Sequence, residues 1–225
     1  MAAFRSPDFN RIDTILLDMD GTLLDLHFDN YFWLHHLPRR YSELAGVPEA
    51  QARKQLYDQY QSLQGTLNWY CLDYWCQQLA VDIVALKQEV AHLIDVHPFV
   101  REFLDAAGEA GKRRVIVTNT HRASVNLKIA HTALDKHVDK IISSHDYQSP
   151  KEEAAFWESL SRNEQFDPTR TLLIDDNLRV LDAAKRYGID QLLAIARPDS
   201  RGALIHTDPY PALDSFEILY RLLRR

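Results

Sequence analysis

Three short segments place reactive side chains directly after apolar runs, and a fourth places one at the start of a helical stretch. Asp18 and Asp20 follow Ile12 to Leu17, Thr118 and Asn119 follow Val115 to Val117, Lys151 opens a helical stretch, and Asp175 and Asp176 follow Thr171 to Ile174. Singly, each has a plain explanation. An Asp-x-Asp serves as a turn or cap, a threonine ends a strand, Lys151 beside Glu152 and Glu153 reads as an exposed charge, and Asp176-Asn177 reads as a helix N-cap. Together they make a different demand. Three or four carboxylates converging with one ammonium and one hydroxyl repel one another unless a hard cation sits among them, and an all-oxygen donor set selects Mg²⁺ over zinc or copper.

Convergence requires a scaffold that brings distant strand ends together. Ile12 to Asp18 reads as a buried strand feeding a turn at Gly21. From Pro98 onward helix and strand alternate: a helix from Pro98 to about Ala110 before Val115 to Thr118, one near Arg122 to His131 before Lys140 to Ser144, one from Pro150 to about Arg162 before Thr171 to Asp175, and one from Asn177 to Tyr187, stopped by Gly188, before Gln191 to Ala196. Such alternation predicts an α/β fold, a Rossmann-like parallel sheet with helices on both faces. Ligands of such sheets bind outside the carboxyl ends of the strands, where the polar residues above fall. Between the first strand and this region the character changes. Residues 28–96 are rich in Tyr, Trp, Gln and Leu with helical periodicity, and predict a helical insertion into a core made of residues 1–27 and 97–225. Within it, Val47-Pro48-Glu49 reads as a helix start with proline at the first position. Trp69, Leu72, Trp75, Cys76 and Leu79 form one apolar stripe, with Tyr70, Asp73, Tyr74 and Gln77 opposite.

Composition removes other classes. At 225 residues the chain holds one large domain, or one with a sizeable insertion, and 46% hydrophobic against 26% charged residues excludes disorder and membrane spanning. A net charge of -6 argues against nucleic acid or anionic lipid as partner, and an anionic substrate then needs local neutralisation. Only 7 glycines are present, no GxGxxG occurs, and Gly108 to Lys112 follows a helix and lacks the Ser or Thr of a phosphate loop. Neither a signal-peptide pattern at the N-terminus nor a long apolar run occurs, so a cytoplasmic location is expected. Cys71 and Cys76 lack zinc-motif or disulfide spacing and are read as packing residues, and the basic run Arg221 to Arg225 as a solvated helix end.

Asp18-Met19-Asp20-Gly21-Thr22, Thr118, Lys151, and Asp175-Asp176 after Leu172-Leu173-Ile174 resemble the four motifs of the haloacid dehalogenase superfamily of phosphohydrolases, and the helical insertion resembles its C1 cap. The runs Asp18 to Trp33, Thr66 to Trp75, Thr118 to His121 and Leu173 to Asn177 resemble the nucleotidases within it that act on GMP and IMP. The resemblance implies Asp18 as nucleophile forming an aspartyl-phosphate and Asp20 as general acid and base. It further implies Mg²⁺ held by Asp18, the Asp20 backbone carbonyl and Asp176, with Asp175 acting directly or through water. Thr118 and the Asn119 backbone would hold phosphate oxygens and Lys151 would neutralise developing charge. With Asp20 kept protonated by neighbouring carboxylates, three negative charges face three positive ones, and a phosphate dianion enters without net repulsion.

Cap residues carry the substrate expectation: Asn30, Tyr31, Asn68, Trp69 and Tyr70 offer stacking faces and hydrogen-bonding edges for a purine. His121 follows Thr118 closely enough to reach phosphate, although a plain helix start explains it more simply. His35-His36 has no carboxylate partner at metal-binding spacing and is read as packing or solvated. Two alternatives stay open. One is a phosphatase or phosphomutase for a small phosphorylated acid or sugar such as phosphoglycolate; the other, from a different class, is a phosphoryl-accepting receiver module, which would contain no helical insertion. Dehalogenase chemistry is disfavoured because halide leaves without the proton Asp20 would give.

Overall fold

The computed structural model describes residues 4–224. Five apolar runs form parallel strands: β1 (Thr14–Leu17), β2 (Arg113–Thr118), β3 (Lys140–Ser143), β4 (Thr171–Asp175) and β5 (Gln191–Ile195). A sixth, β6 (Ala212–Leu213), adds parallel to β5, and the order is β3-β2-β1-β4-β5-β6. Every residue of β1 and β4 is buried, because parallel strands covered on both faces have no solvent side to keep polar. Leu17 stands in register with Ile116 and Ile174, so the carboxyl ends of β1, β2 and β4 lie side by side at the centre of the sheet.

Strand alternation divides the core. Ile15 and Leu17 face a cluster with Val100, Phe103 and Leu104 of α7 (Val100–Glu109), Val125 of α8 (Arg122–Thr132) and Phe216 and Leu219 of α11 (Phe216–Leu223). Leu16 faces the opposite cluster, with Phe156, Trp157 and Leu160 of α9 (Ala154–Glu164) and Val180, Leu181 and Ala184 of α10 (Leu178–Tyr187). Gly188 ends α10 at φ +110°, and Asn177 starts it by accepting the Arg179 N–H.

Helices also fill the stretch between β1 and α7: α1 (His27–Tyr31), a π-helical turn at Phe32–His36, α2 (Leu37–Ala45), α3 (Glu49–Leu63), α4 (Leu67–Tyr70), α5 (Leu72–Leu79) and α6 (Ile83–Glu89). They have their own apolar cluster, including Phe28, Phe32, Leu56, Tyr60, Leu72, Trp75, Ile83 and Leu86. Trp33, Tyr60, Trp69 and Trp75 interlock mostly edge to face, with centroids 5.3 Å apart for Tyr60–Trp75 and 5.4 Å for Tyr60–Trp69. Each such pair contributes about 0.5–1.5 kcal/mol beyond area burial, which makes this wall stiff.

Several expectations shift. Pro48 sits one residue ahead of α3 rather than inside it. The helix expected from Pro150 starts only at Ala154, because the Lys151 N–H donates to Asn119 Oδ1 at 2.9 Å and its carbonyl accepts the Trp157 indole N–H at 2.8 Å. These two bonds hold the Lys151 backbone in a turn. The stripe through residues 69–79 is interrupted where Cys71 turns extended (φ -84°, ψ 110°), although Leu72, Trp75 and Leu79 are buried as expected. His36 is buried and pairs with Glu89 at 2.8 Å, a carboxylate 53 residues away that local spacing could not reveal. Of the basic tail, Arg221 pairs with Glu217 and Arg224 with Glu109, both on the surface; Arg225 lies outside the described residues. No helix among the described residues is long and apolar enough to cross a membrane.

Candidate active site

β1 delivers Asp18 still hydrogen-bonded to the sheet, its N–H donating to the Ile174 carbonyl at 2.9 Å. Met19 then points into the core while Asp18 and Asp20, two apart, reach the cleft, as strand alternation requires. Gly21 turns the chain at φ +82°, and a Cβ there would stand 2.5 Å from Asp176 Oδ2. Glycine is needed twice over, for the backbone angle and for the close approach of the carboxylate.

Lys151 is fully buried and is not a surface charge. Its ammonium donates to Asp18 Oδ1, to Asp175 Oδ2 at 2.7 Å and to the Val117 carbonyl at 3.0 Å. Burial opposes that charge, but the two carboxylates outweigh it and push the Lys151 pKa up. Asp175 has both oxygens engaged, since Oδ1 accepts the Asn177 N–H at 2.9 Å. Burial, then the Asp18 and Asp175 charges, drives the Asp176 pKa well up against the opposing Lys151 ammonium. Asp18 is likewise pushed up to about 7, by burial first, with Lys151 opposing and the Asp175 and Asp20 charges assisting. Carboxylate oxygens of Asp18, Asp175 and Asp176 all lie within 4.8 Å of one another. Three crowded hard-oxygen donors sharing one ammonium fit a divalent cation of the Mg²⁺ class, which supplies the positive charge the cluster lacks.

Asp20 stands differently. Its Oδ2 accepts from the Thr120 hydroxyl and lies 2.6 Å from the Lys128 ammonium, while Oδ1 is buried with no hydrogen-bond partner. Its closest charged neighbour is thus a cation, Lys128, a partner the sequence reading did not foresee. Lys128 in turn bridges to Asp29 at 2.6 Å, and Lys87 holds the other Asp29 oxygen at 2.6 Å while lying over the Phe28 and Phe32 rings. Burial works against the Asp29 charge, yet the two lysines prevail and hold its pKa far down. The sequence reading missed Lys87 and Lys128. A signal was present: Lys128 shares a helix face with buried Val125 and Thr132, and Lys87 with Ile83 and Val90.

Thr118 is buried at the end of β2 and accepts the Thr120 N–H at 3.1 Å. Asn119 spends its side chain on structure, accepting from the Lys151 N–H and donating to Glu152 Oε2 at 2.9 Å. Glu152 is a junction that spacing did not suggest: it also accepts from the Tyr70 hydroxyl at 2.8 Å and from Asn177 at 3.2 Å. Tyr70 therefore ties the helical segment to the sheet through its hydroxyl, and burial followed by the Glu152 charge raises its pKa.

These residues open on one cavity of ≈ 480 Å³, floored by Asp18, Asp20, Thr118, Lys151 and Asp176 and walled by Trp33, Tyr60, Trp69 and Tyr70. That volume lies within the range of roughly 300–1,000 Å³ typical of small-molecule sites and exceeds what a bare phosphate needs. Asn30 lines it too, and with one Nδ2 hydrogen donated to Asp199 at 2.8 Å it keeps its amide oxygen and a second N–H for a ligand. Tyr31 and Asn68 do not line it; Trp69 and His121 do, His121 also capping the start of α8 as the simpler reading had it.

The chain is 40% identical over 208 residues to the GMP/IMP nucleotidase YrfG of Escherichia coli strain K12, covering 92% of this chain and 94% of that protein, and equally to its counterpart in Shigella flexneri. The crystal structure of a HAD phosphatase from Thermococcus onnurineus superposes with a TM-score of 0.78 at 20% identity, over 94% of this chain and 98% of that one. The L-2-haloacid dehalogenase of Xanthobacter autotrophicus shares the fold at a TM-score of 0.58 and 15% identity, over 95% and 98% of the two chains. The haloacid dehalogenase-like hydrolase family matches residues 12–188, a span that runs from the strand before Asp18 past Asp175 and Asp176 to the glycine that ends α10. With that match spanning most of the chain and the 40% identical relative covering 92% of it, this chain belongs to the haloacid dehalogenase-like hydrolase family.

Proposed function

We propose that this protein is a Mg²⁺-dependent phosphomonoester hydrolase working through an aspartyl-phosphate on Asp18, with 5′-monophosphates of 6-oxopurine nucleosides (GMP and IMP) as substrates and a cytoplasmic location. The observation that carries it is the cluster of Asp18, Lys151 and Asp176 opening onto a cavity whose far wall is aromatic. The nucleotidase relative at 40% identity supports the substrate class. In this reading residues 28–96 act as a cap over the core formed by 1–27 and 97–225.

A divalent cation held by Asp18, Asp176 and the Asp20 carbonyl, with Asp175 in support, supplies charge neutralisation when bound. Asp18 attacks phosphorus, and the bond to the leaving ester oxygen breaks in line. Asp20 gives that oxygen its proton and later takes one from the water that hydrolyses the phosphoenzyme. With Oδ2 fixed by Thr120 and Lys128, the partnerless Oδ1 is the atom that carries the proton. The Thr118 hydroxyl and Asn119 N–H hold phosphoryl oxygens while Lys151 neutralises charge and fixes Asp18. Purine stacking falls to Trp33 and Trp69. The Asn30 amide oxygen offers an acceptor, which suits the ring N–H of a 6-oxopurine better than the bare ring nitrogen of adenine.

A turnover panel tests this. IMP and GMP should exceed AMP in kcat/KM by at least about tenfold, a gap of ~1.4 kcal/mol within reach of one hydrogen bond. Asn30→Ala should narrow that gap and spare an aryl phosphate. Phosphoglycolate or a hexose phosphate outperforming both nucleotides would refute the substrate assignment, and release of no more than one phosphate per chain would refute hydrolysis itself.

A further inference from the structure

Cys71, His121 and His145 meet beside the cavity mouth, one donor atom from each lying within 4.8 Å of the other two. They come from three distant segments: Cys71 from the extended link between α4 and α5, His121 from the start of α8, and His145 from the 3₁₀ turn after β3. One partner therefore belongs to the helical segment and two to the sheet layer. Each is half-buried.

His145 Nε2 is buried with no hydrogen-bond partner among the described residues. The Asn119 backbone carbonyl bonds to the same ring, so that contact falls to Nδ1, and the resulting tautomer leaves Nε2 its lone pair. The His121 ring stands edge-on at 5.0 Å. Burial, then the neighbouring His121, moves the His145 pKa down, and a neutral imidazole is the ligand form. His121 is held only by long contacts, the Ala123 N–H at 3.4 Å and the exposed Asp73 carboxylate at 3.5 Å. Sulfur with two imidazoles is a borderline-soft donor set unlike the all-oxygen cluster of Asp18, Asp175 and Asp176. Donors around zinc stand about 3.3–3.6 Å apart at normal bond lengths, so a closing shift of about 1.5 Å at most completes the site.

We propose that Cys71, His121 and His145 form a second metal site, for a zinc-class divalent cation, that latches the helical segment to the sheet layer at the cavity mouth. Binding expels the Cys71 thiol proton to solvent and leaves a fourth position for water or Asp73. The latch acts next to Tyr70 and Thr120, and immobilising that wall slows substrate entry and product release.

Co²⁺ is the probe, added to metal-free full-length protein in excess Mg²⁺. Wild type should develop thiolate-to-cobalt charge-transfer absorption saturating at one equivalent. Cys71→Ser should abolish it, and Cys76→Ser and Asp176→Asn should retain it. Loss of an outer-sphere partner alone costs about 10- to 100-fold in affinity, so His145→Gln should weaken binding at least tenfold. Zinc, added in excess Mg²⁺, should slow aryl phosphate turnover in wild type and leave Cys71→Ser untouched. No thiolate band in wild type, or its persistence in Cys71→Ser, overturns the site; equal zinc inhibition of both proteins overturns the latch. The absorption readout is independent of substrate, so it stands apart from the nucleotidase reading.

Discussion

Lys128→Met removes the ammonium that lies 2.6 Å from both Asp20 and Asp29 while keeping most of the side chain's volume and apolar stem. Lys128 is 1% exposed and its two carboxylates 15% and 16%, so solvent screens these pairs little. At 2.6 Å and an effective dielectric of about 20, one such attraction is worth about 6 kcal/mol gross. Desolvation offsets much of that, and breaking a buried pair from one side costs about 3–5 kcal/mol net. Asp29 keeps Lys87, but Asp20 keeps only the Thr120 hydroxyl. The variant should therefore lose about 3–5 kcal/mol in urea unfolding, roughly 6–20 °C in Tm for a chain of this size. Adding Asp29→Asn to Lys128→Met should cost less than the sum of the two single losses, since the second change relieves a carboxylate already short of a partner. Turnover should report the same coupling. Without the ammonium that fixes its Oδ2, Asp20 is misplaced for proton transfer and kcat should fall. A loss under about 1 kcal/mol with unchanged kcat would show that Lys128 neither anchors nor positions Asp20.

Asp18→Asn should remove turnover by several orders of magnitude, since it loses both nucleophile and metal ligand, and should leave a cooperative unfolding transition; a tenth of wild-type activity in pure protein would sink the assignment. Gly21→Ala should lower kcat and Mg²⁺ affinity at least about tenfold with the fold retained, because its Cβ would displace Asp176 from 2.5 Å and φ +82° is strained for alanine; unchanged Mg²⁺ dependence would disprove that route. Chelation should abolish activity and Mg²⁺ restore it, with Ca²⁺ inhibiting through its looser coordination. In metal-free protein the raised pKa of Asp18 stabilises the fold fully below the usual carboxylate value near 3.8, and that contribution is lost as pH rises through about 7. The Tm gain from Mg²⁺ should accordingly be larger at pH 8 than at pH 5, and an equal gain at both would contradict it.

Asp18, Asp20, Thr118 and Asp175-Asp176 were legible in the sequence because each follows a local signal, a buried apolar run ending in a polar residue, and parallel strand ends must lie together; Lys151 was legible only as the start of a helical stretch joining them. The helix–strand alternation, the stop at Gly188 and the helical character of residues 28–96 rest on the same short-range patterns, whereas the strand order β3-β2-β1-β4-β5-β6 does not. The rest depends on partners far apart along the chain. Glu152 joins Tyr70, Asn119 and Asn177, and Lys128 joins Asp20 to Asp29 across about a hundred residues. No periodicity encodes which buried charge meets which. β6 is two residues long and exists because β5 leaves an edge for it, not through any propensity of its own. Cys71 reads as packing until the helical segment lays it against two histidines, 50 and 74 residues away. Chemistry anchored at strand ends is written in local pattern, because strand alternation aims those side chains. Charge pairing, the cavity's polar edges and the cysteine–histidine cluster are decided by tertiary packing, because burial makes each unpaired group costly and only the folded chain supplies its partner.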